Sequence, residues 1–203
     1  SLQQIYIVPE EFDLPSVRIS TYIRANSGFY PSFDPVLFGK ILSDLELGSR
    51  DKLHKLSHGQ RKKFLIAFAL ATRCKLLIMD EPTNGLDIPS KSQFRKIVAG
   101  SIEEDQLVLI STHQVKDIEN LIDHIVVLKD GRVIFQQKTL GISELLAFRT
   151  DTKLHEDALY YESAPGGYKI IEKVLNGDPS TIDMELLFNA INSGKELIPQ
   201  EHE

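Results

Sequence analysis

The sequence has no hydrophobic stretch long enough to cross a bilayer. Its longest nearly uncharged apolar run is 64–72, FLIAFALAT, whereas a spanning helix needs about 20 such residues. No secretory signal is visible, so work at a membrane would leave the spanning to another polypeptide. Cysteine is nearly absent. The single Cys74 cannot form an internal disulfide and suits a reducing, cytosolic setting, where it reads as a small apolar residue at a helix end. A basic excess is also missing. The formal charge of -6, from 29 acidic and 23 basic residues, argues against a general nucleic-acid-binding surface, and no nucleic-acid partner is expected. Internal repeats and low-complexity segments are absent too. The chain begins at Ser1 rather than methionine, inside what reads as a strand, and is expected to be cut from something longer.

What is there has an ordinary globular composition. At 42% hydrophobic and 26% charged over 203 residues, the chain can form one domain plus an appendage. The apolar run 5–8, closed by Pro9, predicts a buried strand. Ser16 is placed to cap a helix over 17–25, and Asp34-Pro35 opens a second with Leu37, Ile41 and Leu45 at helical spacing. A third helix over 60–72 is apolar on most faces and should be buried. Strand and helix then alternate: strands at 76–79, 107–111 and 125–128, helices at 90–99 and 115–122. That alternation predicts a mostly parallel α/β sheet. Asp130-Gly131 signals a tight hairpin returning through 133–136. Beyond about residue 150, strands at 159–163 and 168–174 flank Ala164-Pro165-Gly166-Gly167. Thr181 or Asp183 then caps a final helix ending near Asn192, and the tail 196–203 is expected to be disordered. Tyr160, Tyr161 and Tyr168 read as strand residues packing against that helix.

Three segments carry chemistry. The strand Leu76-Leu77-Ile78-Met79 ends in Asp80 and Glu81, which puts two carboxylates at the edge where α/β sheets bind ligands. Nucleotide hydrolysis needs one carboxylate for Mg2+ and a second group for the attacking water; Asp80 suits the first and Glu81 the second. Alone, such a pair also serves to cap a turn. Leu56-Ser57-His58-Gly59-Gln60 directly precedes the buried helix, and a hydroxyl with a glycine amide at a helix N-terminus makes an anion site, though an ordinary serine cap has the same residues. Ser111-Thr112-His113 ends the next strand.

In this order the segments resemble the ABC ATPase family over about residues 5–148. Leu56 to Gln60 resembles its LSGGQ signature, with His58 in place of the first glycine. Leu76 to Glu81 resembles its Walker B strand and catalytic glutamate, Pro82 to Asp87 its D-loop, and His113 its switch histidine. The resemblance implies a partial P-loop NTPase (RecA-like) fold: a nucleotide-binding domain over 1–150 with a helical subdomain at about 16–72, and a small α+β appendage over 151–203. It further implies ATP and Mg2+ as ligands and two nucleotide-binding domains closing head to tail around two ATP molecules. Ser57, Gly59 and Gln60 would then meet the partner's ATP, Asp80 would serve Mg2+, and Glu81 would act as general base. His113 would hold the γ-phosphate and attacking water, and Asp87 would couple the two sites.

The sequence departs from the family pattern in three places. Glu10, in Val8-Pro9-Glu10-Glu11, stands where the Q-loop glutamine is usual, and His58 is expected to point its side chain outward. More seriously, no G-x-x-x-x-G-K-[ST] occurs, so the loop whose amides and lysine bind the β- and γ-phosphates is missing. One isolated copy is therefore expected not to bind ATP, and an incomplete sheet should leave apolar surface exposed. The segment 121–135 resembles the strands and hairpin that usually follow the switch. Glu10, the Asn84-Gly85-Leu86-Asp87 loop and the short C-terminal appendage look most like stand-alone bacterial exporter subunits, including those for drugs or peptide antibiotics, and the final helix resembles a Leu-Leu-Phe-Asn-Ala segment that recurs in that group, here Leu186 to Ala190. That implies a transmembrane permease subunit as partner and a position on the inner face of the cell membrane. A non-transport ABC ATPase of translation or DNA repair, or a catalytically silent interaction module, are the alternatives.

Overall fold

The computed structural model describes residues 2–174 and 180–198. They form two compact units, divided between Asp117 and Ile118. In the first, chain order is β1 (Ile5–Val8), α1 (Ile19–Asn26), α2 (Pro35–Asp44), α3 (His58–Ala71), β2 (Leu76–Asp80), α4 (Ile88–Ser101) and β3 (Leu107–Ser111). The three strands make one parallel sheet in the order β1-β2-β3. The central strand buries Leu77 and Met79 and sets Asp80 opposite Ser111. Parallel strands end at the same edge, so the loops after Val8, Asp80 and Ser111 all leave the sheet there. The expected partial P-loop NTPase architecture is the one found. As expected, apolar surface is left bare: Ile7, Leu107 and Leu109 are 55%, 66% and 55% exposed.

α3 is buried from Phe64 to Ala71, and Phe68 is its hub. Its ring centroid lies 5.4–6.4 Å from those of Tyr6, Tyr22, Tyr30, Phe33 and Phe38, edge-on or tilted as aromatic quadrupoles prefer. One side chain thus joins α3 to β1, α1 and α2. The cap of α2 is the one expected, with Asp34 Oδ1 accepting from the amides of Val36 and Leu37 at 3.0 and 2.8 Å. The Leu37 amide, assisted by Arg73, holds the Asp34 carboxyl below the usual carboxylate range. α1, in contrast, begins three residues after Ser16 and has no side-chain cap. The reason is long-range: Arg18 bridges Lys52, and the Leu53 amide donates to the Val17 carbonyl, which keeps the backbone extended to residue 18. The helix expected over 115–122 is a single 3₁₀ turn, Val115–Asp117.

The second unit contains β4 (His124–Lys129), β5 (Arg132–Lys138), α5 (Thr139–Leu145), β6 (Leu146–Asp151), β7 (Tyr160–Ala164), β8 (Gly167–Lys173) and α6 (Met184–Asn192). β4 and β5 form the expected hairpin, its Asp130 and Gly131 both at positive φ (49° and 73°), the pairing that matches strand twist. β6, β8 and β7 form an antiparallel sheet. At Gly167 a Cβ would run into the backbone of Asp151 and Thr152, so the β7–β8 turn closes only on glycine. Asp183 caps α6, accepting from the Leu186 amide at 3.1 Å. The core joins Phe135, Ile142, Leu146 and Ile171 to Leu186, Leu187 and Ile191. Leu197 and Ile198 belong to it, each 6% exposed; the tail is ordered that far because these two side chains complete the core. The remainder of the tail, 199–203, lies outside the described residues. Tyr160 and Asn189 of α6 both donate to Glu162, which fits the strand-against-helix reading for Tyr160, whereas Tyr161 is 49% exposed and meets Tyr168 edge-on instead.

The β6–β7 connection is clipped by a histidine. His155 Nδ1 lies 2.8 Å from Glu172 Oε2 and its Nε2 3.1 Å from Asp151 Oδ2, while Arg149 meets the other Glu172 oxygen at 2.6 Å. The hydrogen bond to Glu172, then that to Asp151, pushes the His155 pKa up. A raised histidine pKa adds stability that is complete below the unfolded value, about 6.5, and is lost as pH rises through the folded value. The unfolding midpoint of the wild type, measured against His155→Gln, should therefore fall as pH goes from about 6 to about 8. A constant difference across that range would remove the clip.

Candidate functional site

Asp80 is the last residue of β2, and its Oδ1 accepts from Ser111 Oγ on β3 at 2.5 Å. One residue on, the Glu81 amide still bonds the Ser111 carbonyl at 2.9 Å, but its φ is 42°. A non-glycine residue there is uncommon and costs energy, a feature that clusters at functional sites. The turn swings the Glu81 carboxylate across to the end of β3. Its Oε2 accepts from Thr112 Oγ1 at 2.8 Å, and its Oε1 from the His113 amide at 2.9 Å and from His113 Nδ1 at 2.6 Å. An ionised carboxylate only accepts, so Nδ1 carries the proton in this contact and Nε2 is left for another partner. The Glu81 side chain is 14% exposed and that of His113 70%: a held acceptor beside an open ring. Thr112 Oγ1 also accepts from the Gln114 amide at 3.0 Å, which fixes the hydroxyl that orients Glu81.

Ser57 and Gln60 form a reciprocal cap at the start of α3. Ser57 Oγ accepts from the Gln60 amide at 3.2 Å, and Gln60 Oε1 accepts from the Ser57 amide at 3.0 Å. The His58 ring remains exposed, as expected, but is not idle. It stacks on Phe12 with centroids 5.4 Å apart, and a Cβ on Gly85 would lie 3.2 Å from it. Glu10 Oε1 accepts from Asn84 Nδ2 at 2.7 Å. The loop after β1 is thus bound to α3 through Phe12 and to the loop after β2 through Glu10. Asp87 caps α4, accepting from the Ser90 amide at 3.0 Å, and the Ser90 hydroxyl and amide hold its carboxyl below the usual range.

The sequence reading missed Lys62, which is 0% exposed. Its Nζ donates to the Glu10 carbonyl at 3.1 Å and sits 5.6 Å from the centre of the Phe12 ring. Burial lowers its pKa, while the charges of Glu10, Asp80 and Glu81 pull the other way. A fully buried lysine is rare without such partners. The available signal was a charged residue five places into a helix whose later residues are apolar.

The sequence profile of the ABC transporter family matches residues 8–84. Over that stretch the chain is similar to ATP-binding proteins of ABC transporters. It is 34% identical over 107 residues to the lantibiotic transport ATP-binding protein SrtF of Streptococcus pyogenes, covering 52% of this chain and 47% of that protein. Over 131 residues it is 28% identical to the ABC transporter ATP-binding protein YtrB of Bacillus subtilis strain 168, covering 62% and 45%. The chain therefore spans about half the length of these relatives. An ATP-binding subunit of an ABC transporter superposes with a TM-score of 0.61 at 22% identity, covering 69% of this chain and 61% of that one. A bacterial Atm1-family ABC exporter with ATP bound gives 0.57 at 20%, covering 69% and 26%. At these identities the likeness is one of fold.

Among the described residues, no helix is long and apolar enough to cross a membrane, and no cluster of three or more His, Cys, Asp or Glu is set to hold a metal ion. That does not conflict with Mg2+ carried by a nucleotide, which takes one or two carboxylates beside phosphate oxygens and water; Asp80, exposed at the sheet edge, fits that donor set. The Lys62 tie is testable by stability. Lys62→Ala should cost the first unit about 2–4 kcal/mol by chemical denaturation, through lost packing and an unmet Glu10 carbonyl. Lys62→Met, which keeps most of the stem, should cost roughly half as much. Equal, negligible losses would mean that the buried ammonium holds nothing together.

Proposed function

We propose that this chain is the signature-bearing and acid-pair-bearing part of an ATP-hydrolysing subunit of an ABC exporter. The observation that carries this reading is the Glu81 carboxylate, held by Thr112 and by both the amide and ring of His113. A carboxylate fixed at a sheet edge is poised to accept a proton from an attacking water. His113 Nε2, free of the Glu81 contact, would meet the γ-phosphate. Asp80 would hold Mg2+, whose chemistry is to bridge and neutralise phosphate oxygens. Glu10 binds Asn84 in this structure, so its role is to join the loops after β1 and β2.

Ser57, Gly59 and Gln60 would face the ATP of a second nucleotide-binding domain, with Asp87 at the junction. Gly59 supports this. A Cβ there would meet its own chain only at an ordinary 3.5 Å, from the Gly85 carbonyl, so the chain itself makes no demand for glycine. Close approach from outside does. A membrane permease subunit as second partner, and a place at the cytoplasmic face of the membrane, follow from the exporter reading. The transport names of SrtF and YtrB support it. The cargo belongs to the membrane subunits. No G-x-x-x-x-G-K-[ST] occurs among these 203 residues, so on this reading the amides and lysine that cradle the phosphates are not among them.

Two measurements test this. Mg-ATP titrated into the 203-residue chain should give no calorimetric signal, and a form carrying a phosphate-binding loop should bind in the micromolar range. Tight binding by the short chain would show that the nucleotide site is misassigned. In that active form, Glu81→Gln should keep ATP affinity and lower turnover by about 100-fold or more. Normal turnover would remove Glu81 as the base and favour a silent interaction module.

A further inference from the structure

The histidine beside Glu81 rests on a turn that is anchored from another element. Lys91, in the first turn of α4, reaches Gln114 Oε1 at 2.6 Å and Asp117 Oδ2 at 2.7 Å. That ion pair is sheltered, with the two side chains 22% and 15% exposed. Asp117 Oδ2 takes no directed hydrogen bond, so the ammonium is what offsets its charge. Arg95, one turn along the same helix face, donates to the Asp117 carbonyl at 3.3 Å. The 3₁₀ turn Val115–Asp117 is thus clasped by two cations of α4. Its other end is closed by the Asp117 amide on the Gln114 carbonyl at 2.9 Å.

The connections run in both directions from Lys91. Its amide donates to the Asp87 carbonyl at 2.9 Å, inside the helical turn that the Asp87 side chain caps. Gln114, at the far end of the lysine, donates its amide to Thr112 Oγ1, and that hydroxyl donates to Glu81. We propose that Lys91 is a positioning residue that fixes His113 and Thr112 around Glu81 by tying their turn to the helix begun by Asp87. A displacement of the Asp87 loop would be carried by one rigid helical turn to the two groups that orient Glu81. The inference rests on the assignment of Glu81 and His113 to hydrolysis for its effect on rate, but the tie itself does not.

The test therefore has one arm without nucleotide. In the whole protein, Lys91→Met should speed hydrogen exchange at the His113 and Gln114 amides by about tenfold or more, and leave Leu77 and Met79 at their wild-type rates. Lys91→Arg, which keeps the charge, should stay near wild type. Gln114→Ala, which removes one end of the tie and spares the ion pair, should speed exchange at His113 less. Unchanged exchange at His113 in Lys91→Met, or loosening that spreads equally to Leu77 and Met79, overturns the proposal. In the ATP-hydrolysing form, Lys91→Met should lower kcat by about 10-fold with KM for ATP unchanged, and should add nothing in a His113→Ala background. A full additive loss there overturns the link to His113. If exchange responds as stated but the wild type has no ATPase activity, the tie stands and the hydrolysis reading falls.

Discussion

The parallel pairing of β2 with β3 is the constraint on which the site depends. Because Asp80 falls opposite Ser111, both strands run out at the same level, and the next residue of each can reach the other. Glu81 keeps one more rung, its amide on the Ser111 carbonyl, and then turns through a left-handed backbone angle. Only from that turn does its carboxylate meet Thr112 and His113. A slip of one residue would send Asp80 to the opposite face and leave Glu81 without donors. Leu77 and Met79, buried on one face of β2, make such a slip expensive. Core packing and site chemistry are therefore specified by the same strand register.

Much of this was legible in the sequence, wherever the cause was local. The strands 5–8, 76–79 and 107–111 followed from apolar runs closed by polar or proline residues. The Asp34 and Asp183 caps followed from side-chain chemistry within four residues. What escaped was governed from a distance. Ser16 lost its capping role because residues 17–18 pair with 52–53. The expected helix at 115–122 gave way to one turn held by Lys91 and Arg95 of α4. α5 and β6 carried weak patterns of their own and form because Ile142, Leu146 and Phe148 find the core that α6 and the residues after it complete. In the site, the residue types were readable one by one. The Glu81–His113 contact and the burial of Lys62 were not, since each needs two segments brought together.

Two of the three departures from the family pattern, Glu10 and His58, have partners inside the chain. Glu10 accepts a hydrogen bond from Asn84, and His58 stacks on Phe12 beside Gly85. With Lys62 on the Glu10 carbonyl, these contacts bind the loop after β1 to both of its neighbours. Residues that look like substitutions in a motif are here parts of one local network, and changing one alone would leave its partner unmatched.

The caps of the longer helices differ in a way that matters for charge. α2, α4 and α6 begin on Asp34, Asp87 and Asp183, whereas α3 begins on Ser57. As caps the two residue types are nearly equivalent, since each lends an oxygen lone pair to an amide. They are opposites toward an anion. An aspartate cap fills the positive end of its helix with a negative charge of its own. Ser57 gives up only a lone pair to Gln60, keeping its hydroxyl proton free and the end of α3 electrically unquenched. The positive end of the helix that Ser57 opens is left available to an anion, while the three aspartate-capped helices come already neutralised.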